Sequence, residues 1–432
     1  MLVEFRVGNY RSFREPQALS LVASSDRSHA EHLIPCGKES LLKAAVLYGA
    51  NASGKSNFLR ALTFVAWFVR NSATKMTVGD PIEVTPFRLD AGSRAQPSRF
   101  ETTLVIDDVR YRYGFSATRE RVYDEWLTAY PERRAQRWFE RRYDPETKQV
   151  RWSFKGELKR SGDLLRERTR DNGLVLSRGA ELNVQQLLPA FKAFADRFWT
   201  CDLSDEDTLF KILQKTAARL EGDPDLRRDA MRLLRDADVG IEDVYLQKED
   251  APPPTWHAEV RRIVPDDLKH LVDDGPLYRV QAVHRATGTN ERVLFDFEAA
   301  ESKGTRRLLA LAGLWLDGLC EGSLLILDEL DCSMHPLLVR GLLELFHSPN
   351  RNTRGAQLIF ATHDNTLMNQ SLFRRDQIWL VEKDADQASR LFSLYDFAEK
   401  PRKGEAIHRG YLAGRYGGVP TLGATFEAVE FR

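Results

Sequence analysis

The sequence predicts an α/β fold that carries an antiparallel β lobe and a helical insertion. Three observations lead to this fold class. An apolar strand at 43–49 runs into a glycine-rich loop and a helix, and later apolar strands at 324–330 and 357–364 end in polar residues. Short runs that alternate apolar and polar residues fill positions 81–155, as in an antiparallel sheet. From about 181 to 250 the apolar spacing is helical.

The N-terminal elements follow from the same patterns. Strands are predicted at 2–8 and 17–23, on either side of the turn NYRSF, and a helix follows the glycine loop over 56–70. In the helical region, Asp223 followed by Pro224 marks a helix start with proline at the first helical position.

The C-terminal part alternates strands and helices. APPP at 251–254 predicts a linker, strands are expected at 277–286 and 291–298, and a helix is expected at 302–320. These patterns divide the chain into an N-terminal half with the glycine loop and the antiparallel lobe, a helical insertion, and a C-terminal half. Their expected bounds are 1–180, 181–275 and 276–432.

Composition and charge exclude several classes of protein. Lys plus Arg and Asp plus Glu both number 63, so the net charge is zero and a globally basic nucleic-acid binder is not indicated. No apolar run reaches the roughly 18 residues that span a membrane, and the N-terminus alternates like a strand, not like a signal peptide. The four cysteines are scattered without a CxxC pair, which predicts free thiols in a reducing compartment. We therefore expect a cytoplasmic protein that does not span a membrane.

The stretch GANASGKS at 49–56 fits the phosphate-loop pattern G-x4-G-K-[ST] in full. Backbone N–H groups of such a loop point at phosphate oxygens, and the following helix N-terminus adds positive potential. Lys55 is predicted to contact the β- and γ-phosphates of ATP, and Ser56 to ligate Mg²⁺. The alternative is a plain glycine turn before a helix. The predicted cofactor-binding residues of this segment are Gly49, Asn51, Ser53, Gly54, Lys55, Ser56 and Asn57.

Two later strands supply candidates for hydrolytic chemistry. LLILDEL contains Asp328, predicted to hold Mg²⁺ through water, and Glu329, predicted to orient or deprotonate the attacking water. The strand QLIFATHD ends in Thr362, His363 and Asp364, which places His363 at a sheet edge where ligands bind in open α/β folds. The alternatives are a core strand with two surface acids and a structural histidine.

This order of motifs resembles the ABC-type P-loop ATPase heads, and the SMC, RecF and OLD-nuclease branch more than transporters. The resemblance adds an S-x-G helix start in ESKGT and the turn NYRSF, whose arginine, here Arg11, lies near the nucleotide in that branch. It implies that Ser302 and Gly304 close over the γ-phosphate bound to a second copy of the chain, in a homodimer or higher homo-oligomer. Only the S-x-G positions of the usual LSGGQ are present, and a simple helix cap is the alternative.

Other segments resemble the bacterial AAA15/AAA21-type ATPases, often encoded beside nuclease-like genes in restriction, abortive-infection and other phage-defence loci. This resemblance implies an ATP-hydrolysing sensor or regulator of a separately encoded effector nuclease. A RecF-like or SMC-like repair ATPase that clamps DNA without an effector is the alternative. A transporter ATPase is disfavoured because no membrane-coupling feature is evident. The segments are TPFRLD (85–90), GLVLSRGAELN (173–183), ADVGIEDV (237–244), LFRRDQIWLVEKD (372–384) and YLAGRYGGVP (411–420).

Two charged stretches lie outside these motifs. Residues 131–170 hold 13 Lys or Arg against 7 Asp or Glu, interleaved with aromatic residues. This fits a nucleic-acid face, or a hairpin with one aromatic core face and one solvated charged face. The acidic run at 382–386 is predicted to be a hairpin turn. No nuclease, HNH or zinc constellation is evident, so any cleavage of nucleic acid is assigned to a partner.

Overall fold

The computed structural model describes residues 1–203, 205–237, 239–249, 277–289, 291–397 and 405–419. The strands are β1 (Leu2–Gly8), β2 (Gln17–Ser20), β3 (Leu33–Cys36), β4 (Glu39–Leu42), β5 (Ala44–Tyr48), β6 (Ser98–Ile106), β7 (Val109–Ala117), β8 (Val122–Tyr130), β9 (Gln136–Asp144), β10 (Gln149–Phe154), β11 (Phe198–Asp202), β12 (Asp243–Glu249), β13 (Leu277–Arg285), β14 (Arg292–Asp296), β15 (Leu324–Asp328), β16 (Gln357–Ala361), β17 (Ile378–Lys383) and β18 (Ser389–Ser393). The α-helices are α1 (Lys55–Asn71), α2 (Ala91–Arg94), α3 (Gly162–Arg168), α4 (Val175–Glu181), α5 (Leu188–Arg197), α6 (Glu206–Gly222), α7 (Pro224–Asp236), α8 (Phe297–Ala300), α9 (Lys303–Glu321), α10 (Pro336–His347) and α11 (Ile407–Leu412).

The described residues form two compact units, each with many more contacts within it than with the other. The first contains a six-stranded and a seven-stranded sheet, and the second contains a three-stranded sheet with α6, α7 and α9. The first unit comprises the described residues of Met1–Thr200, Gly322–Leu327 and Phe346–Arg432, and the second comprises those of Cys201–Glu321 and Asp328–Leu345.

The six-stranded sheet has the strand order β11-β15-β16-β5-β17-β18. Its middle pairs β15–β16, β16–β5 and β5–β17 are parallel, and the register aligns Leu327 with Phe360 and Phe360 with Val46. β5, β15 and β16 are buried at every position, as expected for parallel strands that are covered on both faces. The last pair, β17–β18, is an antiparallel hairpin, which confirms the turn predicted at 382–386.

The seven-stranded sheet is antiparallel throughout, in the order β10-β9-β8-β7-β6-β1-β2. Helix α1 packs aromatic side chains against it. Phe58 meets Phe5 edge to face at a centroid distance of 5.5 Å, and Phe64 lies 5.1 Å from Phe100. The α/β fold with an antiparallel lobe that the sequence predicts is confirmed.

The second unit has its own apolar core between α6, α7, α9 and the sheet β12-β13-β14. Asp223 caps α7 by accepting from Leu226 N at 3.0 Å, and Pro224 stands in the first turn, which confirms the predicted helix start. Helices α6 and α9 pack closely. A Cβ on Gly313 would come within 2.4 Å of the Thr216 hydroxyl, which donates to Ala310 O at 3.0 Å.

The helical prediction for 181–250 is only partly correct. Helices α5, α6 and α7 lie there, but so do the strands β11 and β12. β11 reads FWTCD and is rich in aromatic and β-branched residues. β12 is stabilised by pairing with β13, a contact over a long sequence separation that local spacing does not reveal. The linker predicted at 251–254, and the rest of the predicted insertion up to 275, lie outside the described residues.

Candidate nucleotide-binding site

The predicted phosphate loop lies between the end of β5 at Tyr48 and the start of α1 at Lys55. The loop therefore leaves the carboxyl edge of a central parallel strand and enters a helix of 17 residues. The first backbone N–H groups of a helix have no partner within the helix, and the helix dipole places positive potential there. This end of the sheet can therefore hold an anion.

Neighbouring atoms leave no room for a Cβ at the two glycines of the loop. A Cβ on Gly49 would lie 2.3 Å from Val381 O of β17. Gly54 has a left-handed φ of 121°, and a Cβ there would lie 2.3 Å from the Ser389 hydroxyl of β18. Because the glycine Cα atoms contact their neighbours so closely, the β17–β18 hairpin fixes the path of the loop.

Two polar side chains of the loop, those of Ser53 and Lys55, are buried. The buried Lys55 ammonium donates to Gly49 O at 2.7 Å and to Ala50 O at 3.2 Å, so the side chain curls over the loop. Among the described residues, the buried Ser53 hydroxyl has no hydrogen-bond partner. Ser56 and Asn57, in the first turn of α1, are half-buried, and Asn51 is exposed. A lysine poised over backbone carbonyls and an unsatisfied hydroxyl fit the phosphate groups of ATP.

A serine pair that the motif does not contain supports the loop. Asn57 Nδ2 donates to the Ser12 hydroxyl at 2.9 Å, Ser389 N donates to Ser12 O at 2.7 Å, and the Ser389 hydroxyl bonds Ser53 O. Ser12 belongs to the turn NYRSF, which the sequence analysis singled out, whereas no sequence pattern indicates a role for Ser389. Both residues position the loop and are not predicted by the phosphate-loop pattern.

Arg11 stands in the same turn. Its backbone has a left-handed φ of 49°, its N–H donates to Thr85 O at 2.8 Å, and its Nε donates to the Tyr10 hydroxyl at 3.2 Å. The residue is exposed, and its neighbour Ser12 is bonded to the first turn of α1. The turn that carries Arg11 is therefore fastened beside the phosphate loop.

A C-terminal segment also reaches the loop. A Cβ on Gly418, whose φ is 70°, would lie 3.7 Å from the Cα of Gly49, and Gly418 N donates to Glu382 Oε2 at 3.2 Å. The Tyr411 hydroxyl donates to Gly418 O at 3.0 Å, and burial raises the pKa of Tyr411, so this hydroxyl keeps its proton. In the sequence analysis this segment contributes only to the family resemblance, and no role is predicted for Gly418.

His363 follows the end of β16, next to β5 in the sheet. Thr362 N donates to Leu47 O at 3.3 Å, so the chain passes beside the last residues of β5 just before His363. The side chain of His363 is exposed. Asp364 caps the next turn through Thr366 N at 2.8 Å, and the Tyr48 hydroxyl donates to Asp364 O at 3.3 Å. His363 thus follows a strand that ends at the same edge of the sheet as the phosphate loop.

Asp328 is the last residue of β15 and is buried. Leu203 N donates to its main-chain oxygen at 3.3 Å. Glu329 begins a tight turn with a left-handed φ of 55°, and Cys332 N donates to Glu329 O at 3.0 Å. A left-handed φ at a non-glycine residue is a strained conformation that is frequent at functional sites. The role predicted for Glu329 stays a prediction that fits this backbone conformation.

Ser302 and Gly304 lie at the start of α9 in the second unit. The exposed Ser302 hydroxyl accepts from Thr305 N at 3.1 Å and bonds the Thr305 hydroxyl at 2.8 Å, so it is an N-cap. A Cβ on Gly304 would lie 2.5 Å from Ser333 O, and Arg307 donates to Cys332 O. The S-x-G helix start is therefore packed against the turn that Glu329 begins.

The aromatic residues of 131–170 mostly face the protein core. Phe139 is fully buried, and Trp138, Trp152 and Phe154 pack against the core of the first unit. Arg141 is buried beside Trp152 and donates to Gly173 O at 2.8 Å. These contacts favour the hairpin with an aromatic core face over a base-stacking surface.

A protein-family model matches most of the chain. The model of the AAA_21 family, described as "AAA domain, putative AbiEii toxin, Type IV TA system", matches residues 44–369. The chain belongs to the AAA_21 family. The match covers the phosphate loop, the ESKGT segment, Asp328 and His363, and it confirms the AAA21 part of the resemblance seen in the sequence. The search of curated proteins found no match.

Two solved structures are similar to the chain at low identity. One is the SMC head bound to the C-winged helix domain of ScpA, at 13% identity and a TM-score of 0.40, covering 91% of this chain and 97% of that chain. The other is the SMC head domain from Thermotoga maritima, at 13% identity and a TM-score of 0.39, covering 91% of this chain and 98% of that chain. At these values the likeness says nothing about ligands or partners of this chain. Within the described residues, each helix is too short or too polar to cross a membrane.

Proposed function

We propose that this AAA_21 protein binds ATP with Mg²⁺ at the phosphate loop and hydrolyses it to ADP and phosphate. One observation carries the proposal: a complete phosphate loop follows the central parallel strand β5, with both glycines in close contact with the β17–β18 hairpin. A plain glycine turn would not need this packing, nor a buried lysine curled over the loop and a serine hydroxyl without a described partner. Family membership supports the same conclusion.

The residues divide the work by their positions in the fold. The Lys55 ammonium would turn from the carbonyls of Gly49 and Ala50 to the β- and γ-phosphates, because its hydrogen bonds to charged oxygens are stronger than those to neutral carbonyls. Mg²⁺, held by Ser56 and through water by Asp328, would neutralise charge on the phosphates when bound. The backbone N–H groups of the loop and of the first turn of α1 would hold the phosphate oxygens in place.

Two further side chains would act on the attacking water. Glu329 directly follows the last residue of β15, and its carboxylate would orient the water or accept its proton. His363 follows β16, the strand between β15 and β5, and would contact the γ-phosphate as it leaves. Arg11, in the turn fastened to the loop through Ser12, would lie near the nucleotide.

We further propose that two copies of the chain dimerise around ATP. Ser302 caps the 19-residue helix α9, and Gly304 lies in its first turn. The exposed Ser302 hydroxyl and the first backbone N–H groups therefore lie together at the N-terminus of the helix. Such an end attracts the γ-phosphate of a nucleotide bound to the other copy. The contact of Gly304 with Ser333 O would couple this helix start to the turn that follows Glu329.

The biological role that we propose is regulation of a separately encoded effector nuclease in anti-phage defence, in the cytoplasm. The family description, which names a toxin and a type IV toxin–antitoxin system, supports a role in such loci. The test is co-expression of the chain with its genomic neighbours, followed by purification with ATP and with ADP. A nuclease-like partner retained in one nucleotide state is expected, and a chain that purifies alone in both states would contradict the proposal.

The ATPase itself is tested by ATP binding and phosphate release on the purified chain. Lys55→Ala removes the charge on the phosphates and should weaken ATP binding by about tenfold to a hundredfold, because hydrogen bonds to charged groups contribute about 1.5–3 kcal/mol each. Lys75→Ala, at an exposed position after α1, is the matched control and should bind ATP as the wild type does. Equal binding by the wild type and Lys55→Ala would show that the loop is not the nucleotide site.

A further inference from the structure

A cluster of two histidines and a glutamate lies in the first unit, outside the nucleotide site. It consists of His29, Glu31 and His32, around a single 3-10 turn at Ala30–His32. One ligand atom from each of the three side chains lies within 4.8 Å of those of the other two. No zinc site is predicted here from the sequence, because the spacing H-x-E-H matches none of the usual pairs of zinc ligands and only the fold orients the rings.

Hydrogen bonds fix which nitrogen of His29 carries its proton. Its Nε2 lies 2.7 Å from Gln370 O, and a carbonyl oxygen only accepts, so Nε2 carries the hydrogen. In the neutral ring, Nδ1 is then an unprotonated acceptor. This Nδ1 lies 3.0 Å from Glu31 Oε1, which is also an acceptor when ionised.

His32 is fixed in the opposite tautomer. Its Nδ1 lies 2.8 Å from Gln377 Oε1, and that oxygen also accepts from Arg374 N at 2.9 Å. The amide nitrogen of Gln377 donates to Ala44 O at 3.1 Å, which confirms the orientation of the amide. His32 Nδ1 therefore carries the hydrogen, and Nε2 is the acceptor that faces Glu31 Oε1 at 3.6 Å.

The result is a group of three acceptor atoms close to one another. Two ring nitrogens and a carboxylate oxygen lie within 4.8 Å of one another, on rings that stack at a centroid distance of 4.5 Å, and the hydrogens of both rings are already used on oxygens of Gln370 and Gln377. Ring N–H groups bonded to carbonyl oxygens are the usual outer contacts of histidines that ligate metals, because they fix the tautomer and the ring orientation. A cation between the three atoms would satisfy all of them.

We propose that His29, Glu31 and His32 form a binding site for a divalent transition-metal ion of the Zn²⁺ class. Two imidazole nitrogens and one carboxylate favour such an ion over Mg²⁺ or Ca²⁺, which prefer all-oxygen ligands. Ligands of a tetrahedral zinc lie about 2.1 Å from the metal and so about 3.4 Å apart. The separations of the two ring nitrogens from Glu31 Oε1, 3.0 Å and 3.6 Å, lie on either side of that value, and all three ligand atoms lie within 4.8 Å of one another.

The surroundings allow an ion to enter and to stay. The Glu31 side chain is 48% exposed and that of His32 is 5% exposed, so the group is open on one side and closed on the other. Water can therefore reach a fourth coordination position. Two cations stand close by. Arg374 is paired with Asp376 at 2.7 Å, and Lys43 donates to His347 O at 2.9 Å, so both are directed to other acceptors.

The site would join distant parts of the chain. The ring of His32 stacks on that of His347 at a centroid distance of 3.5 Å, and its proton is held by Gln377, whose amide bonds the start of β5. His29 is held by Gln370, in the segment that follows β16. A bound ion would therefore fix the turn at 29–32 to the connection between β16 and β17.

The test is metal binding by the full chain after treatment with a chelator and reloading with Zn²⁺ or Co²⁺. The wild type should bind one equivalent at this site, and loaded Co²⁺ should show d–d absorption of nitrogen and oxygen ligands without a thiolate charge-transfer band. Glu31→Gln and His29→Gln, both at exposed or half-buried positions, should each weaken binding by about tenfold or more. Zn²⁺ should also raise the melting temperature of the wild type more than that of either variant.

His284→Ala is the matched control, because His284 pairs with Glu301 at 2.7 Å and the part of the chain that the structure describes offers no third ligand there. It should bind the metal as the wild type does. No bound metal in the wild type would overturn the proposal and assign the His29–Glu31 contact to a proton on His29. Equal affinity in Glu31→Gln, His29→Gln and wild type, or a thiolate band in the Co²⁺ protein, would also overturn it.

Discussion

The phosphate loop at 49–56 and the ESKGT segment at 301–305 are both turns before a helix, but their hydrogen bonds and contacts within one copy of the chain differ. In the phosphate loop, Gly49 and Gly54 are held against neighbouring strands, and the Ser53 hydroxyl has no described partner. In ESKGT, the Ser302 hydroxyl caps its own helix and is satisfied. Within the described residues, the first turn therefore keeps an unsatisfied hydroxyl, whereas the hydroxyl of the second is satisfied as an N-cap.

The difference shows what one copy of a chain can reveal. The phosphate loop collects its ligand groups from neighbouring residues of one segment, so its geometry is visible in a single copy. The predicted role of Ser302 and Gly304 involves a nucleotide on another copy, so a single copy shows only the cap and the close contact with Ser333. Variants must therefore separate capping from contact with phosphate.

The largest expected effect is at the residue after β15. Glu329→Gln should bind ATP but lower phosphate release by about a hundredfold or more, because the amide keeps the size of the side chain and cannot accept the proton. Glutamine also tolerates the left-handed φ of 55° about as well as glutamate, so the turn should persist. Nucleotide binding and phosphate release would be measured on the purified variant.

The control for this variant is Glu321→Gln, at the exposed end of α9. It should hydrolyse ATP at the wild-type rate. If Glu329→Gln also turns over ATP at nearly the wild-type rate, Glu329 has no catalytic role and the strained turn has another cause.

An intermediate effect is expected when two inactive variants are mixed. Lys55→Ala has a defective phosphate loop, and Ser302→Arg places a bulky cation where the γ-phosphate would dock. A mixed dimer keeps one intact composite site of two, and random pairing makes half of the dimers mixed. Recovery can therefore reach at most roughly a quarter of wild-type activity.

ATPase activity would be measured for each variant alone and for the pair after subunit exchange. An exchanged mixture as inactive as its components would contradict independent composite sites. Substantial activity of Ser302→Arg alone would return the ESKGT segment to a plain helix cap.

The smallest expected effect separates the two roles of Ser302 by stability. Ser302→Ala loses the cap and should lower the free energy of unfolding by about 1 kcal/mol. Ser302→Asp keeps the cap and complements the helix dipole, so its stability should stay near the wild type, but its charge repels phosphate and should lower ATP hydrolysis by about tenfold. Denaturant unfolding and phosphate release would be compared. An Asp variant as active as the wild type would favour a cap alone.

The sequence predicts those parts of the fold that depend on local patterns. The strand–loop–helix around Lys55, the antiparallel strands of 81–155 and the helix start at Pro224 all have short-range signals, and the structure contains them. The strands β11 and β12 lie in a region of helical spacing and depend on pairing with distant strands, so local spacing did not show them.

The same distinction holds for the sites. The phosphate-loop residues form one contiguous motif, whereas Ser389 and Gly418 reach the loop from far along the chain and carry no motif. The pairing of His29 and His32 with Gln370 and Gln377 is equally non-local. Side chains brought together by tertiary contacts become visible only when the fold is known.

The central claim is that the two turns form one site across two copies of the chain. The most direct test is the molar mass of Glu329→Gln in solution, by light scattering, with ATP and Mg²⁺ and with ADP and Mg²⁺. We expect a dimer with ATP, a monomer with ADP, and no ATP-dependent dimer when Ser302→Arg is added to the same chain. A mass that does not change between ATP and ADP, or a dimer that Ser302→Arg leaves intact, would contradict it.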